Sequence, residues 1–267
     1  MYLSRASRMV LRVVALLTFG VLYVPLAIVA VLSFDKAKSF TWPPSGFTLH
    51  WWHLAATETG PHDALVLSLK VGCAATALAL VLGTLAAFAL QRFRFFGRDT
   101  VNLMLVLPIA LPGIVTGVAL NSAFRQVNVQ LGFTTLVVAH ATFCIVTVFN
   151  NVIARLRRMS PNVEEASADL GADSFQTFRY VTLPLIRSAL LAGGLLAFAL
   201  SFDEIVVTNF TSGTGQTLPL WIFSNLFRPN QLPIVNAVAT AVVLLSVVPI
   251  YFAQRLTDAG ATGGGAL

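Results

Sequence analysis

Residues 131–153 read LGFTTLVVAHATFCIVTVFNNVI, an apolar run with no Asp, Glu, Lys or Arg. A helix of about 20 such residues crosses the ~30 Å hydrocarbon core of a bilayer, so this stretch is long enough to span one. Five further runs of the same kind surround it: Val13–Phe34, Ala64–Leu90, Val101–Phe124, Leu185–Val207 and Ile234–Phe252. Helices are required rather than strands. An open sheet leaves backbone groups unsatisfied in lipid, and the alternating pattern of a barrel strand is absent. The reading is an all-α, polytopic membrane protein with six transmembrane helices.

Composition agrees. The chain has 267 residues, 57% of them hydrophobic and 10% charged, where soluble domains carry about 25% charge. The net charge of +6 does not point to nucleic acid, because the cations sit in short connections between apolar runs. With an N-in start, twelve of the seventeen basic residues fall on the inner side, from Arg5, Arg8 and Arg12 through Arg92 to Arg255. The positive-inside rule therefore predicts N-in and C-in. The first run follows a basic stretch, as a secretory signal would, but it exceeds a signal's 7–15-residue apolar region and lacks a small-residue cleavage site. It reads as a retained anchor. Cys73 and Cys144 lie inside apolar runs and read as small core residues. The four histidines show no ligand spacing, and no metal site is expected. The predicted organisation is an N-terminus and first span at 1–34, an outer loop at 35–63, five helices at 64–256, and a disordered tail at 257–267.

The inner connection at 155–184 differs from the others. It holds four of the eleven acidic residues: Glu164, Glu165, Asp169 and Asp173. Ser160–Pro161 has the form of a helix start, with a hydroxyl N-cap and a proline at the first helical position. Glu164 and Glu165 follow in the first turn, where the helix dipole favours anions. Gly171 suits the left-handed residue after a helix end. Asp173 and Gln176 have capping-box spacing, which predicts a second short helix ending at Leu183–Pro184. Both a solvated tether and a rigid docking knob remain open on these grounds.

Glu165-Ala166-Ser167, Gly171-Ala172 and Val181-Thr182-Leu183-Pro184 resemble the "EAA" signature of ABC importer permeases, with Ser and Val standing where that pattern has Ala and Ile. Leu107–Gly113, Ala199–Thr208, Thr211–Gly213 and Thr217–Pro219 resemble the same family. The similarity runs over roughly residues 10–256 and is strongest to the second permease of spermidine/putrescine-type importers. It implies a type I importer permease in the inner membrane, with 35–63 periplasmic and 155–184 forming the cytoplasmic coupling loop. In that role Glu164, Glu165, Ala166, Ser167, Asp169, Gly171, Ala172 and Pro184 dock on an ATP-binding subunit. The resemblance also implies two ATP-binding subunits, a second and paralogous permease, a periplasmic or lipid-anchored solute-binding protein, and surrounding lipid. ATP and magnesium belong to the ATP-binding partner; no cofactor is expected on this chain.

Asp203 and Glu204 are the acidic residues of a predicted span, where ionisable groups are costly and point to function. Two readings stay open: an interfacial acid contacting water or pairing with Lys70, or an acid lining the route of an organic cation. Pro108 and Pro112 predict a bent or locally opened third span. The likeness leaves iron(III), thiamine, phosphonate and sulfate as alternative solutes to a polyamine. A secondary transporter should show duplicated halves with broken helices, and no such duplication is seen. No phosphate loop or nucleophile motif supports an enzyme.

Overall fold

The computed structural model describes residues 4–40, 42–160, 162–228 and 230–246. Pro161, Pro229, Arg255, the predicted sixth span beyond Ser246 and the 257–267 tail lie outside the described residues. Those described are nearly all helical, the β-type contact being an isolated bridge between Asp35 and Phe47. They fall into two compact units. One runs to His62 and resumes at Ile222; the other is Asp63–Trp221.

In the first unit, α1 (Arg5–Leu32) begins where Ser4 Oγ accepts the Ser7 amide at 3.1 Å. Its apolar side chains are exposed from Met9 to Leu26, as suits a helix facing lipid or another subunit, and Leu32 at its end is buried. The stretch read as an outer loop is partly helical: α2 (His50–Thr57) lies within it. Buried Asp35 organises this segment. Its Oδ1 accepts the Ala37 amide at 3.1 Å and the Ser45 amide at 3.0 Å, and its carbonyl accepts Trp51 Nε1 at 2.7 Å. Trp52 stacks on Phe34. An aromatic-rich loop can thus form a helix because the indole N–H groups of Trp51 and Trp52 find acceptors in Asp35 and Ser33 at the end of α1. The short apolar helix α12 (Leu232–Ser246) also belongs to this unit.

The second unit is built on α6 (Phe133–Leu156), packed along α9 (Leu183–Asp203) and against α3 (Thr59–Arg92). Ala79, Ala87, Cys144, Val148, Phe149, Val152, Ile186 and Ala197 form the shared core. Contact is close because small residues line the seam, the usual device where lipid removes the hydrophobic drive to associate. A Cβ on Gly83 would lie 2.8 Å from the Ile145 carbonyl oxygen. The Cys144 thiol donates to the Ala197 carbonyl at 3.2 Å.

Two predicted spans differ from straight helices. The third is α4 (Arg98–Ala110) and α5 (Gly113–Gln126), inclined at 109°. Pro112 has no N–H and pushes Leu111 into an extended conformation, with ψ 143°, so the α4 ladder stops there. Pro108 is carried inside α4 without ending it. The fifth span breaks at Glu204, where ψ is 117°, and resumes as α10 (Val206–Thr211). The chain then runs into α11 (Leu218–Leu226).

The largest correction concerns Pro184. It does not end the second short helix. α8 (Ser174–Thr177) runs through a widened π-helical stretch, Phe178–Thr182, directly into α9, so Ser174–Asp203 is one helical segment. The Leu183 amide bonds back five residues to the Phe178 carbonyl. A proline in a regular helix collides with the carbonyl four residues earlier; the wider turn makes room for the ring.

Candidate functional site

The knob is assembled from local signals. After α7 (Asn162–Asp169), Gly171 takes φ +84°. The Ala172 amide bonds to the Ser167 carbonyl at 3.1 Å, and the Gly171 amide to Ala168 at 2.9 Å. This pair is the Schellman pattern that closes a helix. Asp173 Oδ1 then accepts the Phe175 amide at 2.9 Å and the Gln176 amide at 2.8 Å, while Gln176 Oε1 accepts the Asp173 amide at 3.0 Å. The caps expected at Gly171 and Asp173 are present, whereas the start expected at Ser160–Pro161 involves Pro161, outside the described residues.

Two side chains pin α7 to the bundle. Glu164 pairs with Arg92 at the end of α3, and its Oε1 also accepts the buried Thr182 hydroxyl at 2.6 Å. Buried Ser167 shares a 3.0 Å hydrogen bond with Thr177. Arg92 lies over the Phe88 ring, which packs edge-on to Phe178. Glu164, Ser167 and Gly171 therefore set the shape of the knob. Glu165, Ala166 and Asp169 face outward, and Ala172 is half-buried. Leu170 and Phe175 are 89% and 68% exposed, large apolar side chains on a polar projection.

The second group gathers at the break between α9 and α10. Asp203 is exposed, and it makes no ion pair with Lys70 among the described residues. Glu204 is half-buried, and its Oε1 accepts the Val207 amide at 2.8 Å, capping α10. The two acids thus differ: one is an open carboxylate, the other a structural cap. α10 lies on α5, where Asn121 Nδ2 donates to the Phe210 carbonyl. A Cβ on Gly113 would lie 3.5 Å from Val206 Cβ. The break after Leu111 and the break after Glu204 are thereby brought side by side. Pro112 marks the first of them; Pro108 lies a turn earlier, inside α4.

Sequence reasoning set His140 aside as a lone residue. It is fully buried, with Nδ1 2.8 Å from Ser201 Oγ and Nε2 2.9 Å from Thr208 Oγ1. Thr208 in turn donates to the Glu204 carbonyl at 2.7 Å. No sequence signal pairs residues 61 and 68 positions apart. The closest hint is a histidine in an apolar run, which must find partners when buried.

Apolar spans, two of them interrupted, and an exposed capped knob define a polytopic helical membrane protein. The chain belongs to the family of binding-protein-dependent transport system inner membrane components, which it matches over residues 79–262; it is an ABC importer permease of the inner membrane. It is 36% identical to the spermidine/putrescine transport system permease protein PotC of Haemophilus influenzae, over 90% of this chain and 93% of that one. It is 32% identical to the putative 2-aminoethylphosphonate transport system permease protein PhnV of Salmonella typhimurium, over 91% and 92%. Its fold is similar to a chain in the crystal structure of a bacterial ABC transporter involved in alginate import, with a TM-score of 0.71 at 16% identity, covering 97% of this chain and 98% of that one.

Proposed function

We propose that this chain forms, together with a second and paralogous permease, the inner-membrane route of an ATP-driven polyamine importer. Both termini face the cytoplasm, and the knob docks on one of two ATP-binding subunits, which hold ATP and magnesium. A periplasmic or lipid-anchored binding protein delivers the solute. The observation that carries the reading is the exposed Asp203 carboxylate, at the end of α9, in a chain 36% identical to a spermidine/putrescine permease. The carbonyls at a helix C-terminus carry partial negative charge. Placed beside Asp203, they favour a ligand bearing several ammonium groups. A phosphonate carries the opposite charge on its phosphorus end and would be repelled there.

The docking role is supported by the exposed Leu170 and Phe175, flanked by Glu165 and Asp169. Association of this kind needs a rigid projection, and the two caps supply one. The deciding experiment is ATP-dependent uptake by the complete transporter in vesicles, with spermidine, putrescine and 2-aminoethylphosphonate compared. Uptake of the phosphonate alone would overturn the polyamine reading. A cysteine at Leu170 that cross-links to no ATP-binding subunit would overturn the orientation of the knob.

A further inference from the structure

We propose that His140 is the positioning residue of the break between α9 and α10. It holds α10 against the end of α9 through a one-way chain of hydrogen bonds, and so fixes where Asp203 stands. The geometric part stands by itself; the consequence for uptake rests on the reading of Asp203 as a pathway carboxylate.

The direction of the chain follows from counting protons. Thr208 has one hydroxyl hydrogen and directs it to the Glu204 carbonyl at 2.7 Å. With that hydrogen on the carbonyl, Thr208 Oγ1, 2.9 Å from His140 Nε2, serves as the acceptor, and the ring hydrogen is assigned to Nε2. A neutral imidazole protonated there has only an acceptor left at Nδ1, so Ser201 donates to it at 2.8 Å. The order is Ser201 to His140 to Thr208 to the Glu204 carbonyl. Each hydrogen is used once, and each step crosses an element boundary: α9 to α6, α6 to α10, α10 back to the break.

The end of the chain matters. A helix that stops leaves its last carbonyls without partners, and an unpaired buried polar group is costly. Thr208 satisfies the Glu204 carbonyl while the Val207 amide engages its carboxylate, so Glu204 is held at both ends. With Glu204 held, Asp203 is the neighbouring carboxylate left open. The imidazole is a flat, rigid spacer with polar atoms on opposite edges, and it reaches two hydroxyls that no aliphatic side chain could bridge.

The test uses the complete transporter with Cys73→Ser and spin labels at Leu200 and Asn209, one on each side of the break. His140→Ala, His140→Gln and Thr208→Val are compared. A Gln amide can still donate to Thr208, and Ser201 can turn its hydroxyl to its own helix. The expected result is a broadened label distance and a KM for polyamine raised about tenfold in His140→Ala, the change that follows from roughly one lost buried hydrogen bond. His140→Gln should restore both. An unchanged distance and KM in His140→Ala would overturn the proposal, and so would a loss confined to kcat that Gln does not rescue. If His140→Ala does not fold, Thr208→Val, which removes the last two links at nearly constant volume, decides in the same way. If the label distance responds to His140 while Asp203→Asn transports normally, the positioning role stands and the pathway reading falls.

Discussion

Thr182 donates its hydroxyl to Glu164 Oε1 at 2.6 Å, across eighteen residues of chain. The same oxygen binds Arg92 at the end of α3. One carboxylate thus fastens α7 both to the helical segment that leaves the knob and to the end of α3, a helix from elsewhere in the bundle. The Arg92 pair is partly exposed and contributes about 0–1 kcal/mol. The Thr182 bond matters more, because a buried hydroxyl left without a partner costs about 1–3 kcal/mol. Glu164→Ala should therefore loosen the knob without unfolding the spans. Uptake should fall several-fold while basal ATP hydrolysis by the complex persists, and Thr182→Val should be milder, since it removes the donor too. Parallel measurement of uptake and ATP turnover checks this; equal losses in both would contradict it.

Gly171 offers a separation of backbone from packing. Its φ is +84°, yet nothing lies within 4 Å of the position a Cβ would take. Any effect of substitution is then conformational. Left-handed backbone costs a β-branched residue about 1–2 kcal/mol, whereas Asn visits it readily. Gly171→Val should weaken cross-linking between the knob and the ATP-binding subunit and lower uptake, and Gly171→Asn should be close to wild type. If both variants behave alike, the left-handed turn is not what shapes the knob. Uptake at the normal rate by a Glu165→Arg, Gly171→Val double mutant would count against the docking role altogether.

The knob was legible because its signals are local: a glycine at a helix end, and an acid three residues before an amide. The first, second and fourth spans and most of the fifth were legible from run length. Pro112 announced a disturbance in the third span, but not an angle of 109°, which depends on where α5 finds α10. The break at Glu204 was hidden, because Ile205–Val207 continue the apolar pattern and the cap is a side chain reaching forward to Val207. Pro184 was misread for the opposite reason. The local rule that proline ends a helix was overridden by a π-turn, whose cost the span beyond it can absorb. His140 was invisible because its partners arrive only when α6, α9 and α10 pack.

Asp203 and Glu204 are adjacent acids with different work, and substitution should separate them. Asp203→Asn removes a charge and no hydrogen bond seen here, so it should reduce polyamine uptake several-fold with assembly and thermal stability intact. Glu204→Gln keeps an oxygen for the Val207 amide, so it should preserve the cap. Glu204→Ala loses the cap and should destabilise by about 1 kcal/mol. Uptake kinetics and detergent-solubilised melting, measured on all three, check the assignment. An Asp203→Asn protein with an unchanged rate would show that the carboxylate is not on the route.

Packing of the seam gives the sharpest contrast in stability. A Cβ on Gly83 would meet the Ile145 carbonyl oxygen at 2.8 Å, and the nearest alternatives are the Val148 Cβ and the Phe149 backbone nitrogen, none of them a flexible end. α3 would have to move away from α6 to admit even one methyl group, at a cost of about 1–3 kcal/mol. Gly20, in α1, has nothing within 4 Å, and replacing it with Ala improves helix propensity by about 1 kcal/mol. Gly83→Ala should lower the melting temperature of the purified protein and reduce its yield in the membrane. Gly20→Ala should leave both unchanged or slightly raised. The comparison isolates close helix approach from the helix propensity of glycine, which has the same sign at both positions; if Gly83→Ala melted like wild type, α3 and α6 would not be in the contact described.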